Sequence, residues 1–217
     1  MGNLSISVEL EGRTAVVIGG GEAGLRAALA LQAAGAGVRW LLEEIPSAAG
    51  CEIPAGIEVL PRRFAAGDLQ GAVLAIICGR SESEILSIRE EACRERVLLH
   101  VVDGAEDDDF IMPAQLELGS VTVSVHPGSG SIALAERIRD EIVSALGPEF
   151  ASAADYLAEL QNRFTDGAQQ TQAFTRLLQS GLLEALRRGD PGRVERMTTS
   201  VLGDISTETD PEGEARE

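Results

Sequence analysis

A glycine-rich turn between an apolar run and a helical pattern is the feature that most constrains how this chain can fold. Gly19-Gly20-Gly21-Glu22-Ala23-Gly24 forms a complete GxGxxG set directly after the apolar run 14–18. A Cβ at such a turn would block both the tight bend and the close approach of the backbone to a pyrophosphate. The order of strand, glycine turn and helix therefore predicts a dinucleotide site, contacted by Gly19, Gly21, Glu22, Ala23 and Gly24. A glycine-rich turn in some other α/β protein is the alternative.

An acidic pair follows the second predicted strand. We predict a helix over 25–34, ended by Gly35, and a strand over 38–42 that delivers Glu43 and Glu44 at its end. In dinucleotide-binding folds an acid about 20 residues past the glycines accepts hydrogen bonds from the ribose, which favours NAD over NADP. Either glutamate fits this role, and we assign it to Glu43. Because the chain has 35 acidic residues, a solvated loop acid is an equally good interpretation.

Strand and helix patterns continue to alternate as far as residue 112. Strand patterns occupy 56–60, 72–78 and 98–102, and a helical pattern covers 81–96. Such alternation predicts an α/β fold, a Rossmann-type parallel sheet with helices on its faces. Gly79 and Val102 end or directly follow two of these strands. Because ligands bind outside the carboxyl ends of parallel strands, both residues are assigned to the cofactor site.

The second half of the chain has a different pattern. A strand is predicted over 121–125 and a helix over 132–146, capped by Ser129 or Ser131. Only helical patterns follow from 151 to 202, and the polar, acidic end of the chain is predicted to be disordered. We therefore predict a first domain over 1–112, an intermediate segment over 113–148, a small helical domain over 149–205 and a disordered acidic tail over 206–217.

Composition excludes several classes of function. The net charge of −17 opposes binding to nucleic acid and to anionic membranes, and all 18 basic residues are arginine. Without lysine, neither Schiff-base chemistry nor a P-loop lysine is available. Three cysteines without CxxC spacing favour a reducing compartment. No apolar stretch is long enough to span a bilayer and no export signal is recognisable, so we predict a cytoplasmic protein.

The order of motifs resembles the precorrin-2 dehydrogenase and sirohydrochlorin ferrochelatase family, which is the N-terminal module of siroheme synthases. The resemblance covers about residues 11–204. It rests on four segments in family order: LEGRTAVVIGGGEAGLRAAL, LLHVVDG, DDFIMPAQL and VSVHPGSGSIALAERIRDEI. The resemblance implies a homodimer with 113–148 as its dimerisation segment. The contact face would comprise Ile132, Ala135, Ile138, Ile142 and Leu146. A monomer that buries the same face internally is an equally open interpretation.

Two reactions on one tetrapyrrole are implied by this resemblance. NAD takes a hydride from precorrin-2 to give sirohydrochlorin, and ferrous iron is then inserted as a second substrate, a reaction of the lyase class. Both steps require proton removal, so one carboxylate could serve each in turn. Family members place an aspartate after the strand that corresponds to 98–102, and here that residue is Asp103. An acid at the carboxyl end of a parallel strand is also where such sheets bind ligands.

Further candidates concern the tetrapyrrole and the metal. Arg26, His126 and Ser129 are assigned to the substrate, since precorrin-2 carries many carboxylates that arginine can bind. His100 and His126 are the only histidines, and with Asp103 they would form a weak two-histidine, one-carboxylate site for ferrous or cobalt ion. A loop role for His126 and a sheet role for His100 are equally good interpretations.

The chain also departs from the family pattern. The departures lie at Ala27, at the turn Gly79-Arg80-Ser81, at His100 and at Gly104. They alter the predicted pocket edge and leave alternative functions open: a chelatase without oxidation, a tetrapyrrole-binding carrier, or a non-catalytic dinucleotide sensor.

Overall fold

The computed structural model describes residues 4–43, 53, 55–102, 108–126 and 131–208. The chain forms two compact units, residues 1–112 and residues 113–217. Each unit has its own secondary structure and its own buried core. The two are therefore described in turn.

A five-stranded parallel sheet forms the centre of the first unit. The elements of this unit are β1 (Thr14–Ile18), α1 (Gly21–Ala33), β2 (Gly37–Leu41), β3 (Glu58–Leu60), β4 (Ala72–Cys78), α2 (Glu82–Glu95) and β5 (Leu98–Val102). The strands lie side by side in the order β3-β2-β1-β4-β5. The chain runs outward from β1 to β3 and then returns to the other side of β1 as β4. This reversal creates a crevice at the carboxyl ends of β1 and β4, where sheets of this type bind ligands. The predicted Rossmann-type fold is confirmed.

The central strands are apolar on both faces because both faces are covered. In β1, Ala15 and Val17 pack with Ala28 and Leu31 of α1. The alternate residues of the same strand face a second core cluster that includes Ile88 and Ala92 of α2. Burying each large aliphatic side chain contributes about 1.5–3 kcal/mol. The sheet therefore fixes the ends of β1 and β4, from which the glycine turn and Gly79 emerge.

Helix α1 begins at Gly21, four residues before the predicted start. Glycine is unfavourable inside helices, so the sequence pattern counted the whole GxGxxG set as a turn. In the structure its last four residues already form the first helical turn, with Gly20 as the N-cap residue. The glycine set and helix α1 therefore overlap, from Gly21 to Gly24.

A buried carboxylate fixes the connection between β3 and β4. Glu91 of α2 is 2% exposed and accepts hydrogen bonds from the amides of Gly67 and Leu69, at 3.0 and 2.9 Å. Arg62 and Asp68 pair within the same connection at 2.6 Å. These contacts hold the segment that carries Arg63 beside the carboxyl edge of the sheet.

An antiparallel hairpin opens the second unit. It consists of β6 (Ala114–Leu118) and β7 (Val121–Val125), joined at Gly119 with a φ of +58°. The amide of Ser120 donates to Asp155 Oδ1 at 2.8 Å, which ties the turn to a following helix. The pattern 121–125 correctly predicted β7. Strand β6 was not predicted, because only two leucines mark its apolar face.

The rest of the second unit is helical. Its helices are α3 (Ile132–Ala145), α4 (Pro148–Gln161), α5 (Gly167–Gln179), α6 (Leu182–Arg187) and α7 (Pro191–Glu208). Leu160, Leu177, Leu182 and Val201 share one buried cluster. Helix α7 continues through Gly203 to Glu208, so residues 206–208 belong to a helix rather than to the predicted tail. The remaining predicted tail, 209–217, lies outside the described residues.

Within the described ranges, no helix combines the length and the apolar content that crossing a bilayer requires.

Candidate dinucleotide-binding site

Gly19 lies where three strands of the sheet meet. It directly follows β1, its amide donates to the carbonyl of Leu41 in β2 at 2.9 Å, and its φ is +112°. A Cβ built on Gly19 would overlap the carbonyl oxygen of Cys78 and would lie 2.9 Å from the Cys78 carbonyl carbon in β4. Only glycine combines this backbone conformation with so close an approach of two main chains.

Trp40 of β2 fixes the same loop from the other side. Its Nε1 donates to the carbonyl of Gly19 at 2.7 Å inside the core. A Cβ on Gly24 would lie 2.8 Å from the Gly19 carbonyl oxygen and 3.4 Å from Cζ2 of Trp40. Gly24 therefore allows α1 to pack closely against the loop, which is the helix-packing role of the third glycine in a dinucleotide motif.

The backbone turn at the start of α1 leaves empty space beside Gly21. Gly21 has a φ of +74°, and a Cβ there would meet nothing within 4 Å. Gly20, at the N-cap position, has no side chain to cap the helix. The first-turn amides of Gly21, Glu22 and Ala23 have no partner within the helix and carry its partial positive charge. This geometry fits the pyrophosphate of a dinucleotide.

Two arginines hold Glu43 just beyond β2. Arg63 Nε lies 2.7 Å from Glu43 Oε2, and Arg80 pairs with Oε1 of the same carboxylate. The hydrogen bonds from Arg80 and then Arg63 hold the pKa of Glu43 below its usual range. Arg80 follows Gly79, which has a φ of +59° at the end of β4. Glu43 thus lies where an acid would bind the ribose, and its charge is already partnered. Sequence reasoning missed this role of Arg63.

His100 has a carboxylate partner that the sequence did not indicate. Its Nδ1 lies 2.7 Å from Asp108 Oδ2, and Arg89 lies 3.3 Å from the other oxygen of Asp108. Because an ionised carboxylate only accepts hydrogen bonds, His100 donates from Nδ1 to Asp108. Phe110 packs against the imidazole with ring centroids 5.5 Å apart. Only the fold brings Asp108 beside β5.

The predicted metal site remains a prediction. Across the described ranges, no three or more His, Cys, Asp or Glu side chains are grouped as metal ligands. His100 belongs to the first unit and His126 to the second, where it is half-buried directly after β7. Asp103, the proposed third ligand, lies outside the described residues.

The other predicted site residues have varied positions. Asp103, Gly104 and Ser129 lie outside the described residues, as does Glu44, the alternative ribose acid. Val102 is the half-buried last residue of β5, and it packs against the core cluster that contains Trp40. Arg26 is exposed on α1. The structure thus brings the glycines, Glu43 and Gly79 to one edge of the sheet.

A strand, a glycine loop and a helix at a topological switch point define a Rossmann-type dinucleotide-binding protein. The chain belongs to the family described as "Putative NAD(P)-binding", whose model matches residues 6–114. The matched range includes the whole parallel sheet.

Relatives with a named activity match nearly the whole chain. A siroheme synthase of Stutzerimonas stutzeri (strain A1501) is 30% identical over 202 residues, which are 91% of this chain and 43% of that protein. A siroheme synthase of Azotobacter vinelandii is 30% identical over 209 residues, or 93% of this chain and 45% of that protein. The chain thus spans less than half the length of these relatives. The family resemblance read from the motifs is confirmed.

A solved structure shows the same fold. SirC, described as a precorrin-2 dehydrogenase, aligns with 94% of this chain and 100% of its own length, with a TM-score of 0.69 and 16% sequence identity. At this identity the likeness concerns the fold.

Proposed function

We propose that this chain is an enzyme of siroheme biosynthesis that oxidises precorrin-2 to sirohydrochlorin with NAD. The observation that carries the proposal is the glycine loop, in which Gly19, Gly21 and Gly24 each meet a geometric demand of dinucleotide binding. The similarity to siroheme synthases over 91% of the chain supports the choice of substrate. A cytoplasmic location is part of the proposal, because cysteines without a pairing pattern are typical of a reducing compartment.

The residues that would hold NAD lie along the carboxyl edge of the sheet. The amides of Gly21, Glu22 and Ala23 would bind the pyrophosphate, because they combine free donors with the positive end of α1. Glu43 would accept hydrogen bonds from the adenosine ribose. Gly79 and Val102, at the ends of β4 and β5, would border the nicotinamide. When bound, NAD supplies the hydride acceptor for the oxidation.

Asp103 is proposed as the base that takes the proton when the hydride leaves. Precorrin-2 loses one hydride and one proton, and the products are sirohydrochlorin and NADH. Asp103 directly follows Val102 in the sequence, and β5 ends at Val102. We propose that Arg26, His126 and Ser129 bind the tetrapyrrole, with Arg26 pairing to its carboxylates.

Ferrous iron insertion is proposed as a second reaction at the same site. Asp103 would then accept protons from the pyrrole nitrogens. His100 and His126 are the proposed iron-handling residues. Because His100 Nδ1 is engaged by Asp108 at 2.7 Å, only Nε2 would remain for a metal ion.

Substitution of the proposed base tests the dehydrogenase directly. Asp103→Asn should lower the rate of anaerobic NADH formation from precorrin-2 by about 10²–10⁴-fold, since amide nitrogen cannot accept the proton. Its affinity for NAD should remain that of the wild type. Glu95→Gln, which removes an exposed acid at the end of α2, is the matched control and should retain the wild-type rate. Wild-type turnover by Asp103→Asn would remove Asp103 from the mechanism.

We also propose a homodimer formed through 113–148, followed by the helical domain 149–205. Of the predicted contact face, Ala135 is fully buried, whereas Ile132 and Ile138 are exposed. Leu134 and Val143 of the same helix are exposed as well. Exposed apolar side chains concentrated on one helix favour an interface over a solvated surface.

The dimer is tested by placing a charge on α3. Leu134→Glu should convert the dimer to a monomer in sedimentation experiments at micromolar concentration, because an unpaired carboxylate at an apolar interface is costly. Leu86→Glu on α2 is the matched control, since Leu86 is 58% exposed and Leu134 is 55% exposed. A wild-type chain that sediments as a monomer would refute the dimer. A Leu134→Glu dimer of unchanged stability would refute an interface at Leu134 of α3.

A further inference from the structure

The second unit contains a half-open cavity of about 450 Å³, which we call the helical cavity. This volume is in the range of sites that bind small molecules. Its described walls come from α4, α6 and α7 and from the chain just after α4. Val194 belongs to the buried cluster of this unit, and Tyr156 and Leu186 pack against that cluster. The core of the unit therefore fixes the position of these walls.

Two charged side chains of opposite sign line the helical cavity. Arg163 follows α4 and Glu195 lies on α7, and both are exposed. Within the part of the chain that the structure describes, Arg163 and Glu195 form no ion pair with each other or with another residue. A cation and an anion are therefore both available to a ligand, and the charges of the described lining residues cancel.

Three hydroxyl groups of the cavity already donate their hydrogen atoms within the protein. Thr198 donates to the carbonyl of Val194 at 2.8 Å, and Thr199 donates to the carbonyl of Glu195 at 3.0 Å. Because the single hydroxyl hydrogen of Thr198 is used in this way, Tyr156 donates to Thr198 Oγ1, at 2.7 Å. Towards a ligand, the three hydroxyl oxygens therefore act as hydrogen-bond acceptors.

The remaining described lining residues are apolar. Leu186, Val194 and Leu202 present aliphatic side chains to the cavity, and Pro191 adds its ring. Removing the apolar surface of a ligand from water against such a wall is favourable. A ligand that fits this cavity therefore has an apolar body in addition to its charged groups.

We infer that the helical cavity binds a small zwitterion with an apolar body, of the class of the apolar α-amino acids. Arg163 pairs with the carboxylate of the ligand, and Glu195 pairs with its ammonium group. The hydroxyl oxygen of Tyr156 accepts a further ammonium hydrogen. A purely anionic ligand would be repelled by Glu195, and a purely cationic one by Arg163. All of these residues belong to the second unit, so this site does not depend on the proposed dinucleotide site.

The test is an NMR titration of the full chain that follows the ring signals of Tyr156. Tyr156 is the single tyrosine of the chain, so labelled tyrosine reports on this cavity alone. The probes are L-phenylalanine, 3-phenylpropionate, which lacks the ammonium group, and 2-phenylethylamine, which lacks the carboxylate. We expect L-phenylalanine to bind with a dissociation constant of about 1 mM or below. Each of the other two probes should bind about tenfold more weakly, because one charged hydrogen-bond partner is missing.

Changes in the protein are paired with the changes in the ligand. Arg163→Gln should bind L-phenylalanine about tenfold more weakly than the wild type does and should no longer prefer it to 2-phenylethylamine. Glu195→Gln should show a similar loss and should no longer prefer L-phenylalanine to 3-phenylpropionate. Each pairing isolates one contact as a double-mutant cycle does. Arg196→Gln and Glu159→Gln are the matched controls, since both residues are exposed and lie outside the described lining.

Saturable shifts of the Tyr156 signals that weaken in both cavity variants and persist in both controls support the zwitterion site. Equal affinity of the wild type for L-phenylalanine and 3-phenylpropionate overturns it, as does wild-type affinity in Arg163→Gln or Glu195→Gln. Unchanged Tyr156 signals with L-phenylalanine and with the smaller L-leucine also overturn it. NAD binding, measured on the same samples, tests the proposed function separately and should be unaffected by all four substitutions.

Discussion

Among the glycine-to-alanine substitutions in the glycine loop, Gly19→Ala is expected to lower the free energy of unfolding the most. A non-glycine residue at a φ of +112° costs about 1–3 kcal/mol of backbone strain. The new methyl group would overlap the Cys78 carbonyl oxygen, so β1 and β4 would have to separate, and such overpacking costs about 1–3 kcal/mol more. Domains are stable by only about 5–15 kcal/mol, so a large part of the folding free energy would be lost.

Urea unfolding followed by tryptophan fluorescence measures this loss. Trp40 is the single tryptophan, is buried, and is hydrogen-bonded to Gly19 itself. Gly67→Ala is the matched control, since Gly67 has a φ of +99° but a Cβ there meets nothing within 4 Å. The free energy of unfolding of Gly67→Ala should therefore fall only by the cost of the backbone strain. Equal urea midpoints for Gly19→Ala and Gly67→Ala would contradict the close approach of β1 and β4.

Gly21→Ala is expected to abolish most dinucleotide binding with only a modest loss of stability. Its φ of +74° implies about 1–2 kcal/mol of strain, and its Cβ would enter open space. That open space is where a pyrophosphate would approach the first-turn amides. Blocking the approach lengthens charged hydrogen bonds, each of which contributes about 1.5–3 kcal/mol, so NAD affinity should fall by tenfold or more.

The chain offers a close control for this variant. Gly71 has a φ of +75°, and a Cβ there also meets nothing within 4 Å, but Gly71 precedes β4 at the opposite edge of the sheet. Gly21→Ala and Gly71→Ala should therefore unfold at similar urea concentrations and differ only in NAD affinity, measured by calorimetry. If both variants bind NAD as the wild type does, the pyrophosphate does not lie at the start of α1.

The parallel sheet could be predicted from the sequence because each of its central strands is marked by residues that are adjacent in the chain. The apolar runs of β1 and β4 are continuous, and each is bounded by glycine. Gly19, Gly21 and Gly24 were recognisable because their GxGxxG spacing lies directly between an apolar run and a helical pattern. Strand β6 escaped prediction because it is half-exposed in a two-stranded hairpin and shows only a weak alternation.

Side-chain partners across the sheet could not be predicted from the sequence. Arg63 is 20 residues from Glu43, and Arg80 is 37 residues away, so only the strand order brings them together. Asp108 reaches His100 because residues 108 and 109 lie beside the edge strand β5, where the amide of Val101 donates to Asp108 at 3.1 Å. Such pairings depend on tertiary approach, which neither periodicity nor residue spacing encodes.

Anaerobic mixing of the wild-type protein with precorrin-2 and NAD tests the central proposal most directly. Absorbance of NADH and the spectrum of the tetrapyrrole are followed together, with a protein-free sample as the control. We expect NADH and sirohydrochlorin to form in equimolar amounts, at a rate proportional to protein concentration, and ferrous iron added afterwards to reveal the second reaction. Absence of NADH formation while precorrin-2 and NAD are both bound would contradict the dehydrogenase and leave a binding protein of the same family.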